Sequence, residues 1–205
     1  MDLLIGTSNV GKLHEFEVML AGLTLRLLNL KDVGLGDMEV DENATTLEDN
    51  SRLKAEAYAK ASNYLTLADD TGLYVDALDG APGIYPARYG GPGLTMAQRR
   101  QKLLGELTGV PDEQRTARFA CVIALAEPGQ DVIFVKGVCK GRIAQAESDG
   151  AGGFGYDPIF IPEGYRQTFS QIGEDEKNRI SHRGRAAALI VPILEKINQK
   201  KQQNI

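Results

Sequence analysis

The residue types best suited to chemistry are concentrated in four places. Asp69-Asp70-Thr71-Gly72 closes a short apolar run at residues 65–68. Two carboxylates beside a hydroxyl make an oxygen-rich set, and magnesium binds through one or two carboxylates together with waters and substrate phosphates. Glu42, in the acidic stretch upstream, could provide the second carboxylate. The competing reading is an Asp-rich bend whose side chains cap their own backbone.

Gly6-Thr7-Ser8-Asn9-Val10-Gly11-Lys12 lies between a strand-like and a helix-like segment. A turn of this kind aims backbone N–H groups and a positive helix end at an anion, and Lys12 adds a full charge. The spacing nearly matches a phosphate-binding P-loop, but Leu13 stands where that loop places a magnesium-binding hydroxyl. An ordinary strand-to-helix turn, with Ser8 or Asn9 as the cap, explains the same residues. Asn50 and Lys54 are four apart and share a helix face behind Glu48 and Asp49, an arrangement also typical of a solvated face. In the distal half, Gly153-Phe154-Gly155-Tyr156-Asp157-Pro158, with Lys177 and Ser181-His182-Arg183, has the parts of a pocket for a flat heterocycle: a ring to stack and polar groups to read an edge. Each segment alone also reads as a glycine-rich turn with core aromatics and a capped helix start.

The elements that must position these groups alternate between strand and helix. Strands are expected at residues 3–5, 24–28 and 65–68, the last ending at Asp69-Asp70. Residues 12–20 read as a helix with Leu13, Phe16 and Leu20 inward, and an alanine-rich helix follows Thr45-Thr46-Leu47-Glu48-Asp49, which holds two overlapping capping-box patterns. Residues 79–93 read as an irregular loop, 95–107 as a helix, 117–126 and 132–138 as paired strands, and 159–161 as a short strand. Residues 174–179 and 183–196 close the chain as helices, the latter interrupted by Pro192, with 198–205 as a frayed polar tail.

A chain of 205 residues with 42% hydrophobic and 25% charged residues can bury a substantial core, and no internal repeat or low-complexity linker divides it. Residues 1–197 are therefore expected to form a single, two-lobed unit. A net charge of -5 argues against broad binding to nucleic acid or anionic membrane. Cys121 and Cys139 lie in apolar stretches without metal-ligand spacing and are expected as reduced core residues. With no long apolar run and no leader pattern, a cytoplasmic location is expected.

Six motifs taken in order carry a resemblance: Thr7-Ser8-Asn9-x-x-Lys12; Asp49-Asn50 with Lys54; Ala68-Asp69-Asp70-Thr71-Gly72-Leu73; Gly80-Ala81-Pro82-Gly83-Ile84-Tyr85-x-Ala87-Arg88-Tyr89; Gly152-Gly153-Phe154-Gly155-Tyr156-Asp157-Pro158-Ile159-Phe160; and Glu176-Lys177-Asn178-x-Ile180-Ser181-His182-Arg183. Together they resemble the inosine/xanthosine triphosphate pyrophosphatase family. The resemblance implies an α/β fold with a two-lobed mixed central sheet flanked by helices, an active-site cleft between the lobes, and a homodimer. It implies hydrolysis of ITP, dITP and XTP to the monophosphate and pyrophosphate, with Mg2+ as cofactor. Carried onto matching positions, Thr7, Ser8, Asn9, Val10, Gly11 and Lys12 would hold phosphates. Asp70 would be the proton acceptor and, with Glu42, the metal ligand, while Thr71 would touch substrate. Phe154, Gly155, Tyr156, Asp157, Lys177, His182 and Arg183 would hold the base and nearby groups. Ser8, Asp49 and Thr71 depart from the Gly, Glu and Ser usual in that family, and Asp41 or Glu39 could replace Glu42 as ligand.

Overall fold

The computed structural model describes residues 1–203. Its seven strands are β1 (Asp2–Ile5), β2 (Arg26–Asn29), β3 (Thr66–Val75), β4 (Pro82–Gly83), β5 (Thr116–Ala126), β6 (Ile133–Ile143) and β7 (Phe160–Pro162). They belong to one sheet in the order β2-β1-β3-β5-β6-β7, with β4 paired to β3. The helices are α1 (Val10–Leu20), α2 (Leu47–Ser62), α3 (Met96–Glu106), α4 (Glu174–Ile180) and α5 (His182–Gln203). The chain folds as a mixed α/β protein in two compact units, each assembled from non-contiguous segments.

The first unit takes Met1–Asp70, Cys121–Gly137 and the chain from Arg183 onward. Here β1 pairs in parallel with β2 and with β3. Alternation along a strand sends successive side chains to opposite faces. Leu3, Ile5, Leu67, Cys121, Ile123 and Leu125 bury against Phe16 and Leu20 of α1 and Ala186, Ile190 and Leu194 of α5. The other face carries Ala68, Ala124 and Ala126 against Ala55 and Ala59 of α2, and Leu4 against Tyr58. The expected inner face of α1 is confirmed at Phe16 and Leu20, with Leu13 half-buried and Glu17 exposed.

The second unit takes Thr71–Ala120 and Val138–His182. Its core gathers Leu73 and Val75 of β3, Leu103 of α3, Phe119 of β5, and Phe160 and Phe169. The ring of Phe160 lies 4.7 Å from that of Phe119 and 5.1 Å from that of Phe169. Arg115, 1% exposed, donates to the carbonyls of Ile143, Leu107 and Ala144 at 3.0, 2.8 and 2.7 Å. A buried guanidinium is tolerated because each of its nitrogens finds an acceptor.

Four sequence expectations change. Asp69-Asp70-Thr71-Gly72 is no turn: β3 runs straight through it to Val75. Glycine suits this strand interior because a Cβ on Gly72 would lie 2.9 Å from the Gly83 carbonyl of β4 and 2.8 Å from the Tyr74 ring. The strand expected to end at 138 continues to Ile143. Helix α5 continues through Pro192 as far as Gln203, because its apolar stripe persists across the proline through Ile190 and Leu194. Asn198, within the stretch expected to fray, is helical and donates to the Thr24 carbonyl at 3.2 Å; residues 204 and 205 of that expected tail lie outside the described residues. Both cysteines are buried and are not joined in a disulfide, as their apolar surroundings required.

Candidate active site

Alternation along β3 decides what its two acids do. Asp69 shares the parity of Leu67 and faces α1 and α5, whereas Asp70 shares the parity of Ala68 and faces α2. Asp69 is 2% exposed. Its Oδ2 lies 3.0 Å from Lys12 Nζ and accepts from Arg183 Nη2 at 2.9 Å and Nε at 3.2 Å. Arg183 also donates through Nη1 to Glu15. Burial opposes the charge on Asp69, but Lys12 and Arg183 outweigh it and hold its carboxyl far below the usual range. Burial likewise opposes the charge on Arg183, and Asp69 and Glu15 reverse that and raise it.

On the other face, Lys54 of α2 reaches Asp70 Oδ1 at 3.5 Å and Glu42 Oε2 at 2.5 Å. Burial works against the Lys54 charge, but Asp70, Asp69 and Glu42 together keep it above its ordinary value. For Asp70 burial is the dominant influence and pushes it up to about 6, against the pull of Lys54 and Lys12. Glu42 and Asp69 add to the rise. The second oxygen of Asp70, Oδ2, is buried with no hydrogen-bond partner among the described residues.

The phosphate-loop candidate is a strand-to-helix junction with a cap. Asn9 is the cap residue: its Oδ1 accepts from Lys12 N at 3.1 Å, and its own N–H donates to Thr7 Oγ1 at 3.2 Å. The first intrahelical bond runs from Leu13 N to Asn9 O, so the amides of Val10 and Gly11 belong to the open first turn of α1, where an anion is favoured. Val10 and Ser8 are exposed and Thr7 half-buried. Gly6 keeps the junction tight, since a Cβ there would lie 2.9 Å from the Tyr58 ring. Of the two capping-box patterns at the α2 start, the second supplies the cap but not the full box: Thr46 Oγ1 accepts from Asp49 N at 3.0 Å and donates to Asp49 Oδ2 at 2.7 Å. This gives Asp49 a cap role that its shorter side chain fulfils.

The distal motif forms a cluster within the second unit. Asp157, 5% exposed, accepts through Oδ2 from Phe154 N at 2.7 Å and from Lys177 Nζ at 2.7 Å. The Lys177 ammonium also sits 5.0 Å from the centre of the Phe154 ring. Tyr156 is buried with its hydroxyl donating to the Pro86 carbonyl at 2.9 Å, and burial pushes it up to about 12. Phe154 and Gly155 stay half-exposed at the tip of this turn. His182 lies flat on Phe119, ring centres 4.5 Å apart. Arg100 of α3, which the sequence reading passed over, grips the Gly155 carbonyl at 2.7 Å and Glu147 at 2.6 Å.

The structure thus gathers Lys12, Glu42 and Asp70 with Asp69, Lys54, Glu15 and Arg183 in the first unit, and Phe154, Gly155, Tyr156, Asp157, Lys177 and His182 in the second. Thr71, half-buried, follows Asp70 in β3. Glu15 was missed because a lone acid in mid-helix reads as solvated, and nothing in local spacing pairs it with Arg183, 168 positions later. Among the described residues no three His, Cys, Asp or Glu side chains form a metal cluster.

An acid pair facing a lysine, with a capped strand-to-helix turn in the same unit of a mixed α/β fold, suits a phosphate-handling protein. The chain belongs to the Ham1 family, whose model matches residues 3–193. It is 43% identical over 192 residues to the dITP/XTP pyrophosphatase of Bacillus subtilis, covering 94% of this chain and 96% of that one. With the dITP/XTP pyrophosphatase of Oceanobacillus iheyensis it shares 42% over 184 residues, covering 90% and 93% of the two chains. Among solved structures it resembles the Staphylococcus aureus Ham1 protein with a TM-score of 0.83 at 37% identity, covering 96% of this chain and 99% of that one.

Proposed function

We propose that this protein hydrolyses non-canonical purine nucleoside triphosphates, dITP, XTP and ITP, to the monophosphate and pyrophosphate. The supporting relatives carry the name dITP/XTP pyrophosphatase along nearly their full length. The observation that carries the reading is Asp70, a buried carboxylate with one oxygen engaged by Lys54 and the other without a hydrogen-bond partner among the described residues.

Lys12 and the amides of Val10 and Gly11 bind the phosphates, with Thr7, Ser8 and Asn9 shaping the turn and Asp69 keeping the Lys12 ammonium in place. Asp70 accepts the proton of the water that attacks the α-phosphorus, in line with the departing pyrophosphate. Thr71 offers its hydroxyl to the substrate. Phe154 stacks on the purine, while Lys177, Asp157 and His182 order the surroundings of the base. Arg183 acts through Asp69, since its guanidinium is already engaged by two buried carboxylates.

Magnesium fits the acids present: Glu42 and Asp70 converge on one ammonium, a position built for positive charge, and two carboxylates suffice for an ion that keeps waters and substrate phosphates. Bound there, it would withdraw charge from the phosphate oxygens. The reading also includes a homodimer located in the cytoplasm. No helix among the described residues is long and apolar enough to cross a membrane.

The test is pyrophosphate release across a panel of dITP, XTP, ITP and ATP, with and without Mg2+. The wild-type protein should act on the first three, require the metal and spare ATP. Asp70→Asn should lose about 10²–10⁴-fold in kcat while remaining folded. Near-normal turnover by a folded Asp70→Asn protein would sink the assignment.

A further inference from the structure

Asn50 is 1% exposed and stands one helical turn before Lys54 on the same face of α2, the face presented to Glu42 and Asp70. Its Oδ1 accepts from the Ala44 N–H at 3.0 Å. A backbone N–H can only donate, so the atom facing it must be the carbonyl oxygen, and the amide orientation is settled. The other end, Nδ2, is buried with no acceptor among the described residues. A buried donor left unpaired is costly, and native structures retain one where a water, ion or ligand completes it. Aspartate would serve the Ala44 amide equally well but would add another negative charge beside Glu42 and Asp70. The neutral amide avoids this.

We propose that Asn50 is a positioning residue with a second, substrate-directed role. Its carbonyl ties down the backbone two residues beyond Glu42 and so aims that carboxylate, while its NH2 donates to an oxygen of the triphosphate. The inference rests on the reading of Glu42 and Asp70 given above. It assigns a task to the Asn50-Lys54 face of α2 beyond the contacts of Lys54 alone.

Two variants separate the halves. Asn50→Ala removes both groups, while Asn50→Asp keeps the acceptor for Ala44 and removes the donor. Calorimetric titration of Mg2+ alone into substrate-free protein reads the aim of Glu42, and steady-state pyrophosphate release from dITP reads the donor. Asn50→Ala should weaken Mg2+ binding and lower kcat/KM by roughly 10- to 100-fold each, the usual cost of losing a group that orients a metal ligand. Asn50→Asp should bind Mg2+ at least as tightly as wild type, yet show a KM for dITP raised by about 10-fold or more with a smaller change in kcat. A folded Asn50→Ala protein with wild-type Mg2+ affinity, or wild-type protein that binds no Mg2+, overturns the positioning role. An unchanged KM in Asn50→Asp overturns the donor role. If Asn50→Ala fails to fold, weakened Mg2+ binding by folded Asn50→Asp overturns the positioning role, and retained binding with raised KM supports the proposal. If wild type binds Mg2+ but releases no pyrophosphate from any nucleotide, the functional reading fails, and the Mg2+ titrations still decide whether Asn50 aims Glu42.

Discussion

Asp69 and Asp70 show how far residue-level reasoning reaches. Chemistry alone marked the pair, and Asp70 was the better candidate, but nothing in the one-dimensional pattern assigned Asp69 a task. Its task depends on Lys12 and on Arg183, 114 positions later, which share one face of β3 with it. Lys54 was equally illegible: an ammonium on an alanine-rich helix resembles solvated charge until Glu42 and Asp70 are seen to converge on it. Replacing Asp69 by Asn should destabilise the fold, because Lys12 and Arg183 lose their anion in a buried place. About 3 kcal/mol is expected, the lower end for breaking a buried pair, since Glu15 still faces Arg183. Urea unfolding of Asp69→Asn against wild type measures this, and a difference below about 1 kcal/mol would show that the pair is dispensable for stability.

At the scale of elements, helices with clear caps were legible and the strand interior around Gly72 was not. Thr95 and Gln98 form the full capping box that opens α3, and Asn9 and Thr46 cap α1 and α2. Gly72 looked like a bend because glycine usually punctuates; here it makes room for the Gly83 carbonyl, a long-range fact invisible in local spacing. Pro192 misled in the same way: its fixed φ and missing N–H predict a break, yet the helix carries on through it. Helix α3 has a further consequence, for it delivers Arg100 to the Gly155 carbonyl of the turn bearing Phe154. Arg100→Ala should loosen that turn and raise KM for dITP roughly 10-fold while kcat changes little. Steady-state kinetics on the folded variant check it, and an unchanged KM would leave Arg100 as a surface tie to Glu147 alone.

At the scale of the whole molecule, the expectation of a core-bearing α/β chain held, whereas the composition of its units was hidden because each draws on segments far apart in sequence. The first unit needs the C-terminal helix: Ala186, Ile190 and Leu194 of α5 bury against β1, β3 and β5 strand residues. Full burial of a leucine or isoleucine stabilises by about 1.5–3 kcal/mol, so losing this stripe removes much of a marginal stability. A chain ending at Ser181 should therefore lack cooperative thermal unfolding by circular dichroism, although every residue of the second unit except His182 is still present. A sharp transition near that of the full protein would contradict this dependence.

The two-residue rhythm of β3 also makes substitution and length change hazards of different kinds. A conservative replacement near Leu67 or Ala68 perturbs packing on one face only. Inserting or deleting a single residue there would exchange the surroundings of the two acids, setting Asp69 toward Lys54 and Asp70 toward Arg183, and would turn Leu67 and Ala68 inside out as well. The stretch leading into Asp69 should therefore vary in spelling across working versions of this protein while keeping its letter count, and any indels should fall in the loops at its ends.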